Sequence, residues 1–231
     1  MLRPPAQAQC LKRLRAALPQ VKRIIRDLAR DSDFWSGNHW IVDSTPVPCA
    51  ASRPTVKRSD LAGWASCGWC ASHHRFFRGL RLYLVCTPTG MPILRAPANA
   101  KMGEREVLAT MLEVDADLLA ERGGILLIAD KGFAGAASQK ELAELRITLP
   151  RPARKSEAER SGEPMLKKVR QLIESVNDTL KGQLDLEFHG GRTSDGVAVR
   201  VAQRVLALAA AAGFNNTIGT PVTRSLIAFD H

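Results

Sequence analysis

Three carboxylates stand where a charge is hard to keep. Asp43 closes the apolar run His39-Trp40-Ile41-Val42-Asp43, and Asp130 closes Ile125-Leu126-Leu127-Ile128-Ala129-Asp130. Runs of this length and composition form buried strands, and a charge where such a strand emerges is costly unless something compensates it. The third acid, Glu174, sits in a helix-patterned stretch from Met165 to Leu184, between Arg170 and Lys181. Crowded carboxylates repel, cations relieve that repulsion, and hard Mg²⁺ prefers oxygen ligands. Two such ions about 3.5–4 Å apart can activate a water or hydroxyl and stabilise a leaving oxygen. The chain carries 33 Lys+Arg against 23 Asp+Glu, a net charge of +10, and its pI is near 9.8. That charge favours a polyanionic partner, so the bond for metal-held carboxylates to act on is a nucleic-acid phosphodiester.

The elements that must position these acids follow from pattern and punctuation. Residues 8–31 read as one or two short helices broken at Pro19. A strand spans about 39–44, and a Pro-, Ser- and Gly-containing connector fills 45–75. Phe77 to Thr87 and Met91 to Ala96 read as a hairpin around Pro88-Thr89-Gly90. A helix runs from Gly103 to about Leu119, and Gly123-Gly124 breaks it before the Asp130 strand. Ser138 to Leu145 is helical, and Ile147 to Leu149 is a short strand. A basic loop, Arg151 to Pro164, leads into the Glu174 helix, and a last helix covers Thr193 to Ala212. Strands interleaved with helices predict an α/β layered domain, and the hairpin makes its central sheet mixed. Asp43 and Asp130 are expected at the C-terminal ends of their strands, where open α/β sheets bind ligands.

The Glu174 helix suits this arrangement. At about 100° per residue, Val169, Leu172, Ile173, Val176 and Leu180 form one apolar face. Arg170, Glu174 and Lys181 form a second stripe at its edge. Taken alone, Arg170 and Glu174 read more readily as a routine i,i+4 pair. Asp178, one turn on, is a rival ligand.

Other candidates weigh less. Cys67-Gly68-Trp69-Cys70-Ala71-Ser72-His73-His74 has the look of a zinc half-site, but no second pair lies downstream, so loop thiols are the better reading. The five cysteines are odd in number and unevenly spread, as reduced cytosolic thiols are. Glu104 and Glu106 read as acids suited to a helix start rather than metal ligands. His189-Gly190-Gly191-Arg192 reads as a turn. No apolar run approaches the roughly 20 residues that span a bilayer.

The chain resembles the DDE transposases of bacterial insertion sequences, most of all the insertion-sequence 982 group. The resemblance runs from about Leu11 onward. It rests on Trp40-Ile41-Val42-Asp43-Ser44-Thr45-Pro46-Val47, Arg78-Gly79-Leu80-Arg81-Leu82, Ala129-Asp130-Lys131-Gly132-Phe133 and Glu174 through Gln183. A related insertion-sequence signature spaces a Tyr, an Arg, the Glu and a Lys as Lys167, Arg170, Glu174 and Lys181 are spaced here, with Lys167 in the Tyr place. The resemblance implies an RNase H-like fold, a mixed sheet flanked by helices. It implies Asp43, Asp130 and Glu174 as catalytic metal ligands, holding two Mg²⁺ with Mn²⁺ as a substitute. Arg170, Lys181, Lys131 and Lys167 are then the expected DNA contacts.

The expected function is metal-dependent cleavage of insertion-sequence ends and strand transfer into target DNA. The alternatives are an impaired DNA-binding remnant of a transposase, or an RNase H-type nuclease. Residues 1–36 are expected to be a basic helical segment, a remnant of a DNA-binding region shorter than is usual in the family, and 37–231 the catalytic domain. The expected partners are the element's terminal inverted repeats and target DNA, with a homodimer in the synaptic complex. The expected location is the bacterial cytoplasm, at the nucleoid.

Overall fold

The computed structural model describes residues 7–32, 35–50, 52–70, 74–150, 153, 157–158, 163–219 and 226. Two helices, α1 (Gln7–Ala16) and α2 (Leu18–Arg30), precede the first strand, β1 (His39–Ala50). After α3 (Arg53–Lys57) come β2 (Ser66–Cys70), β3 (Arg75–Cys86) and β4 (Pro92–Asn99). Helices α4 (Glu104–Val114) and α5 (Ala116–Ala120) lead to β5 (Ile125–Ile128). The remainder is α6 (Ala136–Glu144), β6 (Ile147–Thr148), α7 (Glu163–Asp178) and α8 (Ser194–Thr217).

The sheet order is β2-β3-β1-β5-β6, with β4 also on β3. β1 pairs antiparallel with β3 and parallel with β5, and β5 pairs parallel with β6. β2 and β4 share the outer edge of β3, β2 along Arg75–Gly79 and β4 along Leu80–Cys86. Setting β2 aside, an antiparallel β4-β3-β1 meander continues into two parallel strands, with helices on both faces. That is the mixed α/β architecture of RNase H-like domains.

Period-2 alternation divides the core in two. Ile41 and Val47 of β1, with Leu80, Leu82 and Leu84 of β3, pack against α2, α7 and α8. Trp40 and Val42, with Tyr83 and Val85, pack against α4, α5 and α6. In α7 and the turn after it, Ile173, Val176 and Leu180 are buried, as the apolar stripe requires. Helix α8 is long and apolar enough, by length and composition, to cross a membrane. Here Val197, Val201, Val205 and Leu208 sit in the core beside Val21, Ile25 and Ala29 of α2.

Several boundaries differ from those read off the sequence. β1 does not stop at Ser44 but runs to Ala50, so Asp43 is the fifth of its twelve residues rather than its end. Pro46 and Pro48 obscured this. They are tolerated because β5 stops pairing at Ile41↔Ile128, leaving one edge of β1 without a strand neighbour beyond that point among the described residues. The supposed connector also holds β2. In that strand Cys67 and Cys70 are three residues apart, so they face opposite sides of the sheet and cannot form a zinc half-site. The 104–119 helix divides at Asp115. The break near Pro19 falls at Ala17, with the proline in the first turn of α2, where its missing N–H costs nothing. The hairpin is as expected: Thr87 donates its N–H to Met91 O at 2.9 Å, and Gly90 takes φ +93°.

Candidate active site

The parallel register pairs His39↔Leu126, Trp40↔Leu127 and Ile41↔Ile128. Two residues further along, Asp43 and Asp130 stand abreast where β5 gives way to a short 3-10 turn, Lys131–Phe133. The two acids thus come together as expected, although only Asp130 lies beyond a strand end. They open onto a cleft of about 630 Å³, which Glu104, Arg170, Glu174 and Asn177 also line.

Asp43 shares the parity of Ile41 and so faces the α7 side. There Asn177 Nδ2 donates to Asp43 Oδ2 at 2.9 Å. Asp43 makes no ion pair within 4 Å among the described residues. Burial pushes its pKa up to about 6; the Ser44 N–H and Arg170 oppose the rise, while Asp130 and Glu104 add to it. Asp130 caps the 3-10 turn by accepting the Lys131 N–H at 2.6 Å. Its other oxygen lies 3.5 Å from Arg170 Nη2, and the same guanidinium reaches Glu174 Oε1 at 3.7 Å. The routine i,i+4 pair therefore exists, and it also ties α7 to the end of β5. Glu174 itself is solvated, its side chain 54% exposed. Asp178 is more exposed still and pairs with Lys181 Nζ at 3.2 Å. Lys131 is exposed beside Asp130. Lys167 belongs to α7, but its side chain lies outside the described residues.

The other face of β1 contributes groups that the sequence pattern did not place here. Ser44 points toward α4, where its Oγ donates to Glu104 Oε1 at 3.4 Å and accepts from Arg81 Nη1 at 3.1 Å. Arg81 also donates to Trp69 O. Glu104 opens α4, as a helix-start acid should, yet its carboxylate leaves the helix end for the cleft. Burial raises its pKa, Arg81 opposes the rise, and Asp130 adds to it. Gly132 shows how close it comes: a Cβ built there would lie 1.8 Å from Glu104 Oε2. The Asp130-Lys131-Gly132 segment was the one available signal, because a glycine two residues after a strand-end acid marks a close approach.

The donor set suits a hard divalent cation: carboxylates from four segments share one cleft, and Arg170 already places a positive charge between two of them. As they stand they do not close on one point, and among the described residues no three His, Cys, Asp or Glu side chains form a metal-holding group. His189, the centre of the supposed glycine turn, is buried; its Nδ1 accepts from Gly191 N at 2.9 Å, and its Nε2 faces Pro48 O at 3.0 Å. It fastens the approach to α8 onto the end of β1.

No curated protein sequence matches the chain. Among solved structures it is similar to the piggyBac transposase in a synaptic complex with hairpin DNA. That match has a TM-score of 0.48 and 12% identity, and covers 87% of this chain and 57% of that one. This chain thus spans little more than half the length of that transposase. It is also similar to the catalytic domain of the Mos1 mariner transposase, with a TM-score of 0.31 and 11% identity, covering 94% and 97% of the two chains. The profile of the family described as transposase DDE domain matches residues 35–210, most of the molecule and all the acids described above, so the chain belongs to the transposase DDE domain family.

Proposed function

We propose that this protein cuts DNA at the ends of a mobile element and joins the freed ends to target DNA, with Asp43, Asp130 and Glu174 as its metal-binding carboxylates. The observation that carries the reading is that Asp43 and Asp130 each lie two residues past the last parallel pair, Ile41↔Ile128, with α7 bringing Glu174 within reach of the same arginine as Asp130. In the first step water attacks a phosphodiester at the element end, breaking the P–O bond and leaving a 3′-hydroxyl. In the second, that hydroxyl attacks a target phosphodiester, forming one P–O bond as another breaks and releasing a target 3′-hydroxyl. Neither step needs a covalent protein–DNA intermediate.

Two divalent ions, Mg²⁺ or Mn²⁺, supply Lewis-acid stabilisation of the charge that develops at the phosphate when bound. The chain's own residues do the rest. Asn177 orients the Asp43 carboxylate, and Arg170 keeps Asp130 and Glu174 on one side of the cleft. Lys131, Lys181 and Arg170 offer charge to the flanking phosphates, and the net charge of +10 draws DNA in. The substrate we infer is the terminal inverted repeat of a bacterial insertion sequence of the 982 group, acted on at the nucleoid by a homodimer that holds two ends.

The test is cleavage of DNA carrying the inverted repeats that flank the reading frame, by purified protein with Mg²⁺, wild type against Asp130→Asn. The wild type should nick the repeat ends and the variant should not. Equal cutting by both proteins would remove the assignment, and preferential cutting of an RNA–DNA hybrid would replace it with an RNase H-type activity.

A further inference from the structure

Glu104 lines the cleft but belongs neither to the expected triad nor to the spacing signature. It lies on the α4 face of β1, opposite α7, and reaches the cleft because β5 stops at Ile128 and leaves the edge of β1 open there. One oxygen accepts from Ser44, the residue after Asp43, at 3.4 Å. The other lies over the bare Cα of Gly132, two residues past Asp130. The carboxylate therefore touches both segments that carry the two acids, at the residue after Asp43 and two residues after Asp130. Arg81 is the nearby cation, but its guanidinium is taken up by Ser44 Oγ and Trp69 O, and Glu104 has no ion pair within 4 Å among the described residues. A second group in the cleft also wants a partner. Asn177 is 4% exposed, and while its amide nitrogen serves Asp43, its Oδ1 is buried with no hydrogen bond among the described residues. A buried carbonyl oxygen beside the Asp43 carboxylate has the chemistry of a hard-cation ligand.

We propose that Glu104 is a fourth metal-binding carboxylate of the cleft, holding a divalent cation together with Asp43 and Asp130. The proposal rests on the metal-dependent reading above. A purely structural Glu104 would only accept from Ser44, and an amide oxygen in its place would do the same.

The test is Mn²⁺ binding to the full chain without DNA, followed by titration calorimetry, with thermal melting as the check on folding. Glu104→Gln keeps the side chain's shape and its acceptor for Ser44, so it should melt no lower than the wild type yet bind Mn²⁺ about tenfold or more weakly. Gly132→Ala pushes on the flexible end of Glu104 rather than on backbone and should weaken binding in the same direction. Wild-type affinity in Glu104→Gln, with Asp43→Asn losing the ion, would overturn the assignment of Glu104 and leave the metal reading standing. Equal affinity in wild type and Asp43→Asn would overturn the metal reading and Glu104 with it.

Discussion

The two helices that flank β1 bring their acids to one cleft under opposite conditions. α7 presents Glu174 to solvent, with Arg170 3.7 Å away. α4 presents Glu104 half-buried, against a serine and a glycine, with no ion pair among the described residues. The helix with the signature spacing carries the solvated acid, and the helix without it carries the sunken one. A solvated acid is cheap to keep and free to move toward a ligand. A sunken acid destabilises the fold unless a cation or donor answers it. Spacing along one helix thus reports who shares a face, while burial depends on where a distant element ends, here β5 at Ile128.

The largest effect is expected where both sides meet. Asp130→Asn removes a charge that touches the α7 arginine and lies beside the α4 acid, so element-end cleavage should fall by about 10³-fold or more, roughly 4 kcal/mol of transition-state stabilisation. Single-turnover cleavage at saturating DNA is the measurement. A loss under tenfold would mean that the two helices, not the strand end, hold the reacting groups. Arg170→Ala should cost less, roughly 10–100-fold, because Lys131 and Lys181 remain to meet phosphate. Its signature is a log K against log[salt] slope for DNA binding reduced by about one. An unchanged slope would confine Arg170 to bracing Asp130 and Glu174.

Asp43→Asn separates burial from chemistry. The folded carboxyl titrates near pH 6, above its ordinary 3.8. The stability tied to its neutral form is complete below pH 3.8 and is lost as pH rises through 6. At pH 7.5 without metal, the charged form therefore costs on the order of 2–3 kcal/mol. The amide avoids that cost, so the variant should melt roughly 5–10 °C above the wild type in chelator at pH 7.5, with the gap closing toward pH 4. Millimolar Mg²⁺ should raise the wild-type melting point and leave the variant's unchanged. A variant less stable than wild type in chelator would mean that the Asn177 contact outweighs burial.

How much of this was legible varies by element, for physical reasons. The β5 acid was readable because four apolar residues and a turn glycine bracket it. The β1 acid was readable as a residue but misplaced in its strand, because Pro46 and Pro48 read as a boundary where they mark an edge strand. The α7 stripe was readable from helical period alone, and Ile173, Val176 and Leu180 are buried as it requires. Glu104, Ser44 and Arg81 were not legible as a group. They lie on three elements up to 60 residues apart and meet only through the sheet register. Asn177 escaped notice because a buried asparagine in an apolar helix face declares itself only when its partner is known. The zinc half-site failed for a reason the spacing already contained: once Cys67 and Cys70 lie on a strand, an interval of three turns them apart.

The smallest expected effect sharpens the contrast between the two acids. Glu174→Gln breaks an ion pair on an exposed helix face, and such pairs contribute only about 0.3–0.5 kcal/mol. Urea unfolding in chelator at pH 7.5 should therefore place this variant within about 0.5 kcal/mol of wild type, while Asp43→Asn, on the strand beneath the same helix, moves upward by several times as much. The reason lies in what each charge faces: Glu174 keeps its water whether or not Arg170 is near, whereas Asp43 has exchanged water for one asparagine donor and the Ser44 N–H. Destabilisation by Glu174→Gln beyond about 1 kcal/mol would show that the Arg170 bridge to Asp130 depends on Glu174 to hold its guanidinium in place. α7 would then be fixed to the β5 end before any ion or DNA arrives, and the fold would depend on the solvated acid as much as on the buried one.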